Sequence, residues 1–409
     1  MDKIATYKKY LLTTFVLFGV VVGSYFIFSN YGIDKENNFY DEKEFIQIAR
    51  ECKDLERGPQ IQCWEDLLVS VISSNGLASA FDIFSKLIWD EPVFKENCHD
   101  YAHRIGEAAL QIFIDDEGKI NVTQAASFCG YGFYHGFMER LLLTNGNPET
   151  AREFCKLVDE QLDSIDRGAA ASCYHGVGHG AAYPHDPRDW GDAMAIINPA
   201  LKLCEEVAAE AGYLMDCVMG VLDPLYQFME LGEYGLELNR ENPFWLCREL
   251  PARYQEACYP GTIMALSAIT GNDFLTAARL VEAIENDEYA AKTVMRLAGT
   301  VIYLNLGNTD YSKNVKACRE LQERLYIPCI LGFTNVLKES GNPGKEYIGV
   351  LNFCKENGLL EHEKEECYKY ILGELLRNMY SDEKFQDICE MVEDKYRKYC
   401  YTPLPWEEE

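Results

Sequence analysis

The sixteen cysteines of this 409-residue chain constrain its fold more than any other feature, because they recur as regular couples. Seven couples can be read directly: Cys52/Cys63, Cys155/Cys173, Cys204/Cys217, Cys247/Cys258, Cys318/Cys329, Cys354/Cys367 and Cys389/Cys400. Their separations are 11, 18, 13, 11, 11, 13 and 11 residues. The first cysteine of a couple ends an amphipathic helical segment, as in Val315-Lys316-Ala317-Cys318. The second opens the next helix, often as Cys-x-x-Gly: Cys129/Gly132, Cys173/Gly176, Cys217/Gly220, Cys258/Gly261 and Cys329/Gly332. Through most of the chain the second cysteines recur at intervals of 33 to 44 residues. One gap of 71 residues, from Cys258 to Cys329, holds a cysteine-free unit running from Ala278 to Gly299. Gly299 there stands in the place of Gly332, and the interval divides into 38 and 33.

Between the cysteines, apolar residues recur at three and four, as at Phe274, Ala277, Ala278, Val281 and Ile284. Strand-like alternation is rare, and Gly, Pro and Asn mark the breaks, as in Asn145-Gly146-Asn147-Pro148. The expectation is an all-α chain, an array of helical hairpins each stapled near its turn by a disulfide. This pattern resembles α-solenoid repeats of the tetratricopeptide and Sel1-like class, particularly cysteine-rich secreted proteins with one disulfide per hairpin. The resemblance covers residues 46–400 and implies architecture, with partner binding as the usual role of such scaffolds. The cysteine separation here is longer, and no continuous tetratricopeptide consensus is present.

An even cysteine count suits an exported chain, and the N-terminus agrees. Residues 1–10, with Lys3, Lys8 and Lys9, read as a short cytoplasmic segment. Residues 11–28 form an apolar run just long enough to span a bilayer, and the lysines orient it with the N-terminus inside. A cleaved signal peptide, ending near Val21-Val22-Gly23, is the competing expectation. Residues 29–45 read as a linker, 46–200 as a histidine-bearing helical region, 201–401 as C-terminal hairpin repeats and 402–409 as an acidic tail. The expected location is therefore the membrane, with the bulk of the chain extracytoplasmic. A net charge of −28 excludes nucleic acid as a partner. The C-terminal repeats remain a possible surface for a protein partner.

One couple departs from the pattern. Cys98 and Cys129 lie 31 residues apart, and each begins a histidine-bearing helix. Pairing them would clamp those helices together; free thiols or exchange with another couple are the alternatives. Of seven histidines, five fall between residues 99 and 179, as His99-x-x-x-His103, His135-x-x-x-Glu139 and His175-x-x-x-His179, with Glu107 one turn beyond His103. Spacing of four puts two side chains on one helix face, and neutral imidazole is the commonest transition-metal ligand. The apolar stripes continue from His99 and His103 to Leu110 and Phe113, and from His135 and Glu139 toward Leu142 and Leu143.

The expected ligands are thus His99, His103, His135, His175 and His179, holding one or two divalent transition metals: Zn, Fe or Cu. Glu139 and Glu107 are the candidate general bases of a metal-dependent hydrolase or oxidase. The alternative is a non-catalytic helical-repeat scaffold with structural histidines. His99-Asp100-Tyr101-Ala102-His103 is one methylene short of the zincin signature, which retracts the base. In Cys173-Tyr174-His175-Gly176-Val177-Gly178-His179-Gly180, Cys173 and Gly176 belong to the repeat, whereas both histidines, Gly178 and Gly180 are additions. Tyr101, Tyr131, Tyr134, Tyr174 and Tyr183 could line a pocket or simply pack. Arg104 and Arg140 could meet an anion, and His185 or Asp186 could extend the ligand set or serve a turn. His362 reads as solvated. No phosphate loop, dinucleotide fingerprint, Gly-x-Ser-x-Gly elbow or haem-attachment motif is present.

Overall fold

Helices follow one another from Glu42 onward because their stop and start signals are local. Gly146 takes a left-handed φ of 57° and ends one helix. Asn147 then accepts a hydrogen bond from the Glu149 amide at 3.0 Å and, with Pro148 in the first turn, begins the next. Asp192 caps its helix in the same way through the Met194 and Ala195 amides. The structure, a computed structural model, describes residues 42–166, 168–184, 186–304, 310–341 and 344–401; these contain no strand. The apolar run 11–28, most of the linker, His185 and the acidic tail lie outside them. The first described helix begins at Glu42, so the end of the expected linker at 45 is already helical.

The helices that position the site are α1 (Glu42–Lys53), α2 (Arg57–Asp90), α3 (Cys98–Asp115), α4 (Gly132–Asn145), α5 (Pro148–Leu162), α6 (Ala169–Ala181), α7 (Ala193–Ala208) and α8 (Leu214–Leu231). Beyond them lie α9 (Ala252–Gly261), α10 (Asp287–Leu304), α11 (Glu323–Ser340), α12 (Glu346–Lys355) and α13 (Glu361–Tyr370), with short helices and turns between. All eight disulfides form as the spacing suggested, Cys98–Cys129 included, and no described cysteine is free. Such a disulfide density marks a secreted or membrane-exposed chain.

Seven helices pack side by side in chain order: α3 on α4, α4 on α6, α6 on α8, α8 on α9, α9 on α10 and α10 on α11. Their partners α5 and α7 pack on α6 and α8 and on each other. Backbones meet directly at glycine. A side-chain carbon at Gly176 would lie 2.6 Å from the Tyr134 carbonyl oxygen, and one at Gly180 would lie 2.8 Å from that of Met138. Both residues of α6 thus meet α4 in the same order, so the two helices run in one direction.

One described helix, α2, is long and apolar enough to cross a membrane, with a mean hydropathy of 1.5 over its best window. Half of that window is buried inside the protein. Cys63 staples it to Cys52, the Trp64 indole donates to the Ala49 carbonyl at 3.0 Å, and Gly76 interrupts it at φ 84°. These features tie it to the core. Distant parts of the sequence also meet. The Lys345 ammonium sits 5.1 Å from the centre of the Trp89 ring, and a cavity is lined by Tyr131 and Asp166 on one side and Lys338, Glu346 and Tyr380 on the other.

Candidate metal centre

The five histidines converge, and α4 stands in the middle. The Cys98–Cys129 bridge, with α-carbons 5.7 Å apart, joins the start of α3 to the turn before α4. That turn is left-handed at three successive residues, Cys129, Gly130 and Tyr131 (φ 58°, 65° and 62°). Such a conformation costs about 1–2 kcal/mol at each non-glycine position. It presents the Cys129 carbonyl to His99, whose Nδ1–H donates to it at 2.8 Å. His99 thereby keeps Nε2 as its free lone pair.

His135 lies between two pairs of rings. Its ring centre is 5.2 Å from that of His99 and 5.3 Å from that of His103 on α3. On the α6 side the distances are 5.1 Å to His175 and 4.5 Å to His179. Within each i,i+4 pair the ring centres are 4.9 Å apart. Two imidazoles bound to one tetrahedral ion at about 2.0–2.1 Å hold their ring centres about 5 Å apart. Two groups of three result, His99/His103/His135 and His135/His175/His179, each with ligand atoms within 4.8 Å of one another.

Carboxylates stand behind the second group. Glu139 Oε1 accepts from His179 Nδ1 at 3.1 Å, which turns His179 Nε2 toward His175 Nε2, also 3.1 Å away. Nitrogens on one tetrahedral ion lie about 3.3 Å apart. A carboxylate on the far nitrogen is the usual means of orienting a ligating histidine. On the other side, Asp223 Oδ2 lies 3.4 Å from His175 Nε2. Burial works against the Asp223 charge, yet Arg296, 2.5 Å away, and His175 hold its carboxyl below the usual range.

Burial and the neighbouring rings favour the neutral form, which binds metal, at His103, His135 and His179. Burial pushes His103 down to about 2, aided by His99 and His179. Burial likewise lowers His135, with the four other histidines adding to it. His179 is lowered by burial despite the Glu139 hydrogen bond. His135 Nδ1 is buried with no hydrogen-bond partner. An unpaired buried acceptor or donor costs about 1–3 kcal/mol, and a metal at this nitrogen would remove that cost.

The remaining candidates fall outside the cluster or serve packing. Glu107 is ion-paired to Arg104, which also reaches Glu65. Tyr101 stacks on Phe94 in the core, Tyr131 donates to Asp166, and Tyr134 meets Ser127 through its hydroxyl. Tyr174 stacks on Tyr213, and Tyr183 meets the edge of Phe228. Asp186 accepts from the Arg188 amide at 2.9 Å and so serves its own turn. His362 is bonded to the Tyr326 hydroxyl at 3.0 Å. Leu143 is exposed, unlike the buried Leu142. Gly178 and Gly180 prove to be packing residues: Gly180 seats α6 against Met138 of α4, and Gly178 seats it against the Cys217 carbonyl of α8.

Asp223 and Arg296 were absent from the expected set, although both carry a register signal. Asp223 stands six residues after Cys217, as His135 stands after Cys129 and His179 after Cys173. Arg296 stands three before Gly299, where the neighbouring repeat has Cys329. The cysteine-free unit therefore carries an arginine at its cysteine position, and that arginine reaches the site. No family model, curated protein or solved structure matches this chain.

Proposed function

We propose that the protein is a membrane-anchored, extracytoplasmic metal-binding protein in which stapled hairpins form an α-solenoid-like array. The N-terminal apolar run 11–28 would anchor it with the N-terminus inside. The histidine cluster would bind a divalent transition metal, Zn, Fe or Cu. One observation carries the reading: imidazole groups spaced for a shared ion, with Cys129 and Glu139 as orienting partners and Asp223 beside His175 Nε2. Thiolate ligation has no part in it, because the cysteines are paired. Calcium and magnesium, which demand oxygen ligands, fit the donor set poorly.

A metal with an open coordination position would lower the pKa of bound water toward about 7. Glu139 would accept the proton, with Glu107 the more remote candidate because Arg104 engages it. Metal-assisted hydrolysis and metal-dependent oxidation both suit a His/Glu set. The stacked rings of His135 and His179, inclined at 14°, favour the second reading, a scaffold with structural histidines. The C-terminal repeats would supply a protein-binding surface in either case. Elemental analysis of the oxidised full chain separates the readings. Stoichiometric metal in the wild type, lost in the His175→Ala/His179→Ala double variant, supports the metal centre. No metal in the wild type sinks it, and metal fully retained by the variant sinks the ligand assignment.

A further inference from the structure

We infer that the cluster holds two ions at once and that the His135 ring bridges them, one ring nitrogen to each. This rests on the metal-binding reading above and goes beyond it in nuclearity and in the role of one residue. The five rings divide into two groups that share only His135. It is the sole histidine of α4, and α4 is flanked by α3 and α6, each of which brings an i,i+4 pair. The ring centres of His99 and His103 on one side and His175 on the other lie 5.1 to 5.3 Å from that of His135.

Two of the other four histidines, one in each pair, have a nitrogen already committed. His99 spends Nδ1 on the Cys129 carbonyl, and His179 spends Nδ1 on Glu139. Each keeps one nitrogen for one ion. His135 has no such restraint: its Nδ1 is buried without a partner, so both nitrogens can ligate. Binding the second ion forms a metal–nitrogen bond and breaks the remaining N–H bond of the His135 ring. The electron pair stays on nitrogen and the proton leaves to solvent, with no oxidant or reductant required. The imidazolate so formed, Glu139 and Asp223 supply three negative charges against two dications. Arg296 holds Asp223 in place at the edge of the group.

Copper(II) is the probe, added to the disulfide-intact full chain in detergent, with bound metal measured by elemental analysis and spin by electron paramagnetic resonance. The bridged pair should bind about two copper ions per chain. Its integrated spin should fall well below two uncoupled centres, because the shared ring couples them. Replacing half the copper with zinc should restore an ordinary single-copper signal. One copper per chain, or two with full uncoupled spin, overturns the bridge while leaving the metal-binding reading intact. No copper bound overturns both. In His135→Ala, a coupled pair that persists also overturns the bridge. The wild-type spin measurement stands if that variant fails to fold.

Discussion

The Nε2 atoms of His175 and His179 lie 3.1 Å apart on one face of α6, and the opposite nitrogen of His179 is held by Glu139 on α4. Two adjacent helices therefore set one ring orientation. Removing the α4 contribution should loosen the ring without removing a ligand. Glu139→Gln should weaken metal affinity by about 10–100-fold, read by competition with a chromophoric chelator. Unchanged affinity would remove Glu139 from the site.

The Cys98–Cys129 bridge joins the two helices that bear His99, His103 and His135. Cys98→Ser/Cys129→Ser should destabilise the chain by about 2–4 kcal/mol in urea denaturation. It should also lower metal affinity, because the Cys129 carbonyl that orients His99 loses its anchor. Removing Cys389–Cys400, at the far end of the described chain, should cost stability and leave metal affinity unchanged.

Gly136 allows α4 to meet α3. A side-chain carbon there would fall 2.7 Å from the His103 carbonyl carbon and 2.8 Å from its α-carbon, and backbone cannot rotate away. Gly136→Ala should cost about 3 kcal/mol, the upper range for overpacking, and should reduce metal binding by parting His103 from His135. Gly58→Ala is the contrast. No atom lies within 4 Å of the added carbon, so that substitution should stabilise by about 0.4–1 kcal/mol. Urea midpoints of the two variants should move in opposite directions.

Glu363 is fully buried on α13. Burial works to raise its carboxyl, yet Arg319, the Tyr326 hydroxyl and the Leu360 amide outweigh that and hold it below the usual range. A lowered carboxylate stabilises the fold above its unfolded value, and the contribution is lost as pH falls through the folded value. Glu363→Gln should cost about 3 kcal/mol near pH 7, since it leaves the Arg319 charge unpaired. The gap in melting temperature between variant and wild type should narrow below about pH 4.3, where the unfolded carboxyl begins to bind its proton. A gap independent of pH would contradict this account.

Much of the fold and part of the site were legible before any coordinates. The couple Cys318/Cys329 stands at a helix end and a helix start because a hairpin turn places them within disulfide reach, a relation that Cys98/Cys129 does not share. Both i,i+4 histidine pairs follow from the pitch of a single helix. The role of Gly178 and Gly180 was not legible. Glycine in a helix signals close approach without naming what approaches, and the partners are carbonyls on α4 and α8.

The chain by itself determined the helices, the pairing rhythm and the three histidine-bearing segments, because each depends on residues within one turn or one hairpin. Only the tertiary structure decided that His135 is shared between two ring pairs and that Asp223 and Arg296, 73 residues apart, belong beside them. Those relations depend on the order and lateral spacing of α3, α4, α6, α8 and α10. Side-by-side packing brings residues from separate helices to one place, and no local periodicity encodes which residues will face each other there.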